Sequence, residues 1–135
     1  MSEAKKELVQ TWLKKAQHDL AAARKLAAGS DPYRDTAIYL CQQAAEKALK
    51  GFLVFHDRRF TKTHNIGKLI SLAAPFAADF SSWIEVGRTL TPYATIFRYP
   101  GEKFEPDRVE FDQALKNADE LYQFILSLLP AEVHP

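Results

Sequence analysis

A single cysteine, Cys41, stands in the 135-residue chain. One thiol excludes an intrachain disulfide and any metal cage built on several thiolates. Four histidines are scattered through the sequence, and none has a second His or Cys at ligand spacing, so no metal site is expected. No apolar run approaches the roughly 20 residues of a membrane span. The opening Met1-Ser2-Glu3-Ala4-Lys5-Lys6 has no apolar region behind its charges, so it does not read as a secretory signal and the default location is the cytoplasm. Net charge is only +1, which excludes a bulk pull toward nucleic acid or an anionic membrane; any such binding needs a local patch. Gly67, Gly87 and Gly101 form no phosphate loop. The paired carboxylates or Ser-His-Asp set of a common hydrolase are missing too. No segment alternates with period two, which leaves no sheet, and there are no internal repeats.

What the chain has is helical periodicity. Its 47% hydrophobic and 26% charged content is that of an ordinary globular domain. One helical domain over residues 1–135 is expected, with an ordered core over about 3–129. Val9, Trp12, Leu13, Ala16, Leu20, Ala23 and Ala27 recur at spacings of three and four between Ser2 and Ala28. Gly29-Ser30-Asp31-Pro32 stops that helix, and Asp31-Pro32 suits the N-cap and first turn of a second, from about Pro32 to Phe55. Two long helices joined so tightly pack as an antiparallel hairpin. A basic loop, His56 to Lys62, precedes a shorter helix from Thr63 or His64 to Ala74. Ser82-Trp83-Ile84-Glu85 reads as a capping box opening another helix, which Thr91-Pro92 kinks or restarts on the way to Phe97. The last helix spans about Pro106 to Leu129. The expected fold is all-α, an up-and-down bundle of three long helices plus one or two shorter ones. Its expected core includes Trp12, Leu20, Cys41, Ala45, Leu49, Leu72, Ile84, Phe97, Leu115, Ala118 and Tyr122, with Cys41 a packed thiol and not a nucleophile.

Within the second helix, Gln43, Glu46, Lys47 and Lys50 fall on one stripe about 100° wide. This reads in two ways. Lys47 and Lys50 can bind phosphate as point charges, with Glu46 orienting one of them. Alternatively the stripe is a solvated face with a Glu46–Lys50 pair worth about 0.3–0.5 kcal/mol. His64 is a local hydrogen-bonding residue or an acid, base or ligand contact near neutral pH. Arg98 either satisfies carbonyls at a helix end or forks onto phosphate or carboxylate. Tyr99 stacks on a base or simply packs.

Four elements in order resemble the HEPN family (higher eukaryotes and prokaryotes nucleotide-binding domain), in its small stand-alone prokaryotic type. They are Trp12 followed by His18-Asp19-Leu20, the Gln42-Gln43-Ala44-Ala45-Glu46-Lys47-Ala48-Leu49-Lys50 block, Thr63-His64 before a Leu-rich segment, and Arg98-Tyr99-Pro100 after an aromatic helix. The resemblance covers nearly the whole chain. It implies a nucleotide-binding and interaction module that acts with a minimal nucleotidyltransferase as a two-component, toxin–antitoxin-like pair. It also implies a homodimer, for which Phe76, Phe80, Trp83, Tyr93 and Phe97 are the candidate anchors. Gln43, Glu46, Lys47, Lys50, His64, Arg98 and Tyr99 are then expected to converge on one groove for an anionic ligand, with no cofactor.

Two other readings stand beside it. Many HEPN toxins are metal-independent ribonucleases marked by an arginine, four to six residues, then a histidine. Arg59 and His64 enclose four residues and Arg58 and His64 five. There Arg58 or Arg59 would stabilise phosphate charge and His64 would act as acid/base on RNA. The family places that motif at the start of its last conserved helix, and no histidine follows Arg98 at that spacing. Little ribonuclease activity is therefore expected of the protein alone. The remaining reading is a purely structural helical dimer.

Overall fold

The computed structural model describes all 135 residues. Three long helices, α1 (Glu3–Ala27), α2 (Arg34–Phe55) and α5 (Arg108–Ser127), dominate, with short α3 (Ile66–Ala73) and α4 (Ile84–Leu90) between them and no strand. Single turns of 3-10 helix cover Ala74–Phe76, Thr91–Ala94 and Ala131–Val133, and a longer 3-10 stretch runs over Ala78–Trp83. The all-helical architecture read from periodicity is the one present.

Local chemistry sets the boundaries. Ser2 caps α1 by accepting from the Lys5 amide at 3.1 Å. Gly29 turns the chain just after α1 with φ +84°, a left-handed conformation open to glycine. The expected Asp31-Pro32 helix start is not used. The Tyr33 amide donates to the Leu26 carbonyl at 2.7 Å, so the turn closes later and α2 begins at Arg34 with no side-chain cap. α3 likewise starts later than expected, because Asn65 is its cap and accepts from the Lys68 amide at 3.0 Å. The Ser82 capping box does not form either. Its residues sit in the 3-10 stretch, and the Ser82 hydroxyl donates to the Asp79 carbonyl at 2.8 Å. Asp107 caps α5 through the Glu110 amide at 2.8 Å.

α1 and α2 form the expected antiparallel hairpin, and α5 packs on α2 from the other side. At Gly51 an added Cβ would stand 3.0 Å from the Trp12 Cβ, so the hairpin closes on a bare backbone. A second close approach joins α3 and α4, where a Cβ on Gly87 would meet the Gly67 backbone at 3.1 Å.

One hydrophobic cluster runs from Val9 to Val133. Leu20, Cys41, Ala45, Leu49, Phe97, Ala118 and Tyr122 lie in it as expected. Trp12, Leu72 and Leu115 are only half-buried, and Ile84 is exposed because α4 begins at that residue and turns it outward. Burial pushes the Cys41 thiol up to about 12, against a weaker opposing pull from Arg24, as befits a packed core group. Packing continues past Leu129: Val133 is fully buried, and the His134 ring meets the Leu126 and Leu129 carbonyls at 2.9 and 3.0 Å.

The aromatic residues are mostly spent inside the fold. Phe52 meets Phe80 edge-on at 4.9 Å between centroids, and Phe80 meets Phe124 at 5.0 Å. Of the five expected interface anchors, Phe80, Tyr93 and Phe97 are buried, Trp83 is half-buried against Phe124, and Phe76 alone is exposed. The Tyr122 hydroxyl is buried with no hydrogen-bond partner. An unmet buried hydroxyl costs stability, so Tyr122→Phe is expected to raise the unfolding free energy by about 1 kcal/mol. Urea denaturation measures this; a loss of stability would mean that the hydroxyl has a partner.

Candidate functional site

The polar stripe of α2 is not a solvated face. Gln42, Gln43, Glu46 and Lys50 are all buried, where the sequence allowed a solvent-facing pair. The Glu46 carboxylate is the hub. Its Oε1 accepts from Gln42 Nε2 and Gln43 Nε2, each at 3.3 Å, and meets His64 Nδ1 at 2.7 Å. Its Oε2 accepts from Lys50 Nζ at 3.0 Å. Burial alone would raise the Glu46 carboxyl. The hydrogen bonds from His64 and Lys50, the Lys50 charge and the Gln42 amide outweigh that and hold it below its ordinary value.

Lys50 sits between aromatic faces, 5.9 Å from the Trp12 ring centre and 5.7 Å from that of Phe60. Its ammonium therefore has one carboxylate and two π faces in place of water. Gln42 Nε2 also donates to the His64 carbonyl at 2.8 Å. The loop before α3 is thus held to α2 through both the ring and the main chain of His64. The imidazole itself remains exposed, and with Nδ1 turned to Glu46 its Nε2 is the free edge.

Four of the expected site residues, Gln43, Glu46, Lys50 and His64, therefore form one hydrogen-bonded cluster. Lys47 does not join them; its ammonium pairs with Asp19 of α1 at 2.8 Å and ties the hairpin together. Arg98 lies against the earlier part of α2, and Tyr99 beside it is exposed. The Arg98 guanidinium stacks over the Tyr39 ring at 4.1 Å and reaches the Ala94 carbonyl at 3.4 Å. Tyr39 precedes Glu46 by seven residues, about 10 Å along the helix. Beside Arg98 opens a cleft of about 520 Å³ whose lining includes Asp35, Phe97, Tyr99, Lys103 and Phe104. Tyr99 and Phe104 are among the most exposed large side chains of the molecule. Arg58 and Arg59 stand exposed in the loop after α2.

Sequence reasoning misses Gln42, Trp12 and Phe60 as members of the Glu46 cluster, and Tyr39 as the platform for Arg98. Gln42 carries a usable signal, since it precedes Glu46 by four residues and so shares its face. Phe60 carries no such signal, because only the path of the loop brings it to Lys50.

A helical hairpin with a buried Glu46–Lys50 pair that holds the exposed His64 ring, packed against a returning long helix, defines the class. The HEPN domain family profile matches residues 9–128. The chain belongs to the HEPN family. Among solved structures it is similar to TT1696 from Thermus thermophilus, with 27% identity over 90% of this chain and 98% of that one and a TM-score of 0.75. It is also similar to ST0689, an archaeal HEPN homologue, with 30% identity over 88% of this chain and 95% of that one and a TM-score of 0.67. No curated protein matches it.

Proposed function

We propose that this HEPN-domain protein binds a nucleotide beside Arg98 and acts, as a homodimer, with a minimal nucleotidyltransferase in a two-component, toxin–antitoxin-like module. The observation that carries the nucleotide reading is the cleft itself. It sets two cations, Arg98 and Lys103, beside two exposed rings, Tyr99 and Phe104, with the carboxylates Asp35 and Glu102 on the same lining. A guanidinium suits phosphate and an open aromatic face suits a base. The Glu46 cluster supports this from behind: Gln43, Glu46, Lys50 and His64 hold the middle of α2 rigid, and Lys47 fixes α2 to α1. Family membership supports the transferase partner, and the exposed Ile96, Phe104 and Val109 offer apolar surface for a second copy.

The test is a nucleotide titration of the purified protein, alone and with a transferase encoded beside it. Arg98→Gln is expected to weaken binding about 10- to 100-fold, the worth of a hydrogen bond to a charged group. Tyr99→Ala is expected to weaken it about 5- to 100-fold through lost stacking. Binding that ignores both substitutions would sink the cleft as the site. Sedimentation of the same sample reads the dimer. One observation favours the ribonuclease reading: Glu46 orients His64 so that Nε2 faces outward, as an acid/base group requires. RNA cleavage by the protein alone that disappears on His64→Ala would put that reading in place of this one.

A further inference from the structure

A second cleft lies at the other side of the α2 start and shares no residue with the sites described so far. It measures about 360 Å³. Three arginines from three separate elements line it: Arg24 in the last turn of α1, Arg34 at the first position of α2, and Arg108 at the first position of α5. The lining itself holds one carboxylate, Asp112, against the three arginines, while Asp119 and Glu105 pair with Arg24 and Arg34 from outside it. Its floor is apolar, with Ala27, Phe111 and Leu115.

The three guanidiniums make only long contacts with protein carboxylates and are otherwise open to solvent, Arg24 half and Arg108 mostly exposed. Arg34 reaches Glu105 at 3.4 Å, Arg24 reaches Asp119 at 3.5 Å, and Arg108 reaches Asp112 at 3.7 Å. The buried and half-buried lysine pairs of this same protein close to 2.8 and 3.0 Å. Each guanidinium has five N–H donors in a planar fork, so a single long contact leaves most of them to water, which an anion can displace. The helix ends add to the field. Arg34 opens α2, whose N-terminus carries partial positive charge and has no side-chain cap, whereas that of α5, opened by Arg108, is already met by the Asp107 carboxylate. Arg24 also complements the negative end of α1, which accounts for one of the three arginines but not for the other two.

We infer that this cleft is a binding site for a small phosphate-bearing anion of at least two negative charges, held by Arg24, Arg34 and Arg108. The anion takes the forks that the carboxylates engage only loosely. The inference stands apart from the nucleotide cleft, since no lining residue is shared between them.

The experiment is a calorimetric titration of the full chain with inorganic pyrophosphate at constant ionic strength. Saturable binding is expected in the parent protein, weakened about tenfold or more in Arg34→Gln/Arg108→Gln and unchanged in Arg88→Gln, an exposed arginine outside both clefts. Absence of saturable heat in the parent overturns the site, as does binding that survives the double substitution or is lost on Arg88→Gln. Should the double variant fail to fold by circular dichroism, Arg24→Gln, at an exposed position, carries the same test: weakened binding supports the site and unchanged binding overturns it. An ADP arm separates the sources of the phosphate. Competition with pyrophosphate means that the site takes the phosphates of a nucleotide; binding without competition assigns it to the free anion, and both outcomes support the site.

Discussion

Glu46→Ala is expected to destabilise the fold by about 3–5 kcal/mol, the cost of leaving one member of a buried ion pair alone. Lys50 is only 7% exposed, so its ammonium cannot recover water once Glu46 is gone. Trp12 and Phe60 offer it faces but no counter-charge. Gln42, Gln43 and the His64 ring lose their shared acceptor in the same step. Urea denaturation reads the loss, and a double-mutant cycle with Lys50→Met apportions it. Removing both charges is expected to cost less than removing Glu46 alone. Additive losses would mean that the pair is not coupled. Acid adds a second signature. The folded carboxyl lies below its ordinary value of 4.5, so as pH falls the unfolded chain takes up the proton first. The stabilisation is whole above that value and drains away as the pH drops through the folded pKa. Glu46→Gln should flatten this part of the stability profile while the rest of the acid limb persists.

Phe52→Ala is expected to cost a similar 3–5 kcal/mol, or roughly 10–20 °C in melting temperature, by a different route. Phe52 is 1% exposed and touches elements far apart in the chain. Its ring centre lies 4.6 Å from that of His56, 4.9 Å from Phe80 and 6.5 Å from Phe76. Truncation removes the transfer term and leaves a cavity that rings held by three different segments cannot close together. Phe52→Leu fills most of that space and should retain more than half of the lost stability. Thermal unfolding of the two variants checks this. A mild effect in both would mean that the aromatic cluster collapses onto the gap.

The fold and the site differ in how far they are legible in the chain. Val9 to Ala27 and Phe111 to Leu129 repeat apolar residues at helical spacing, and such stripes become the buried faces of α1 and α5 because nothing else competes for them. Periodicity cannot show that Glu46 and Lys50 are buried. It counts charges as solvent-facing, and their burial depends on a histidine 18 residues ahead of Glu46 and on a loop phenylalanine. The Ser82 box fails for a related reason. Ser82 and Glu85 have the right spacing, but the preceding turn is 3-10, and the hydroxyl finds the Asp79 carbonyl first. Aromatic abundance marks Phe80, Tyr93 and Phe97 as dimer anchors, yet it cannot tell an interface from a core. Short helices of seven and eight residues bury too little by themselves, so these rings fill the space under them.

The crossing of α3 and α4 at Gly67 and Gly87 bears on how this sequence can drift over evolutionary time. A side chain at position 87 would press on the Gly67 backbone at 3.1 Å, and backbone cannot rotate out of the way as a side chain can. Retreat of α4 would also carry off Thr91, whose hydroxyl accepts from the Ile66 amide at 3.0 Å and donates to the Gly87 carbonyl at 2.7 Å. Descendants of this chain that gain bulk at position 87 therefore need a compensating change in the opening turn of α3. The two helices should diverge as a linked pair, while neighbouring exposed positions such as Arg88, held only by a surface pair with Glu85, vary more freely.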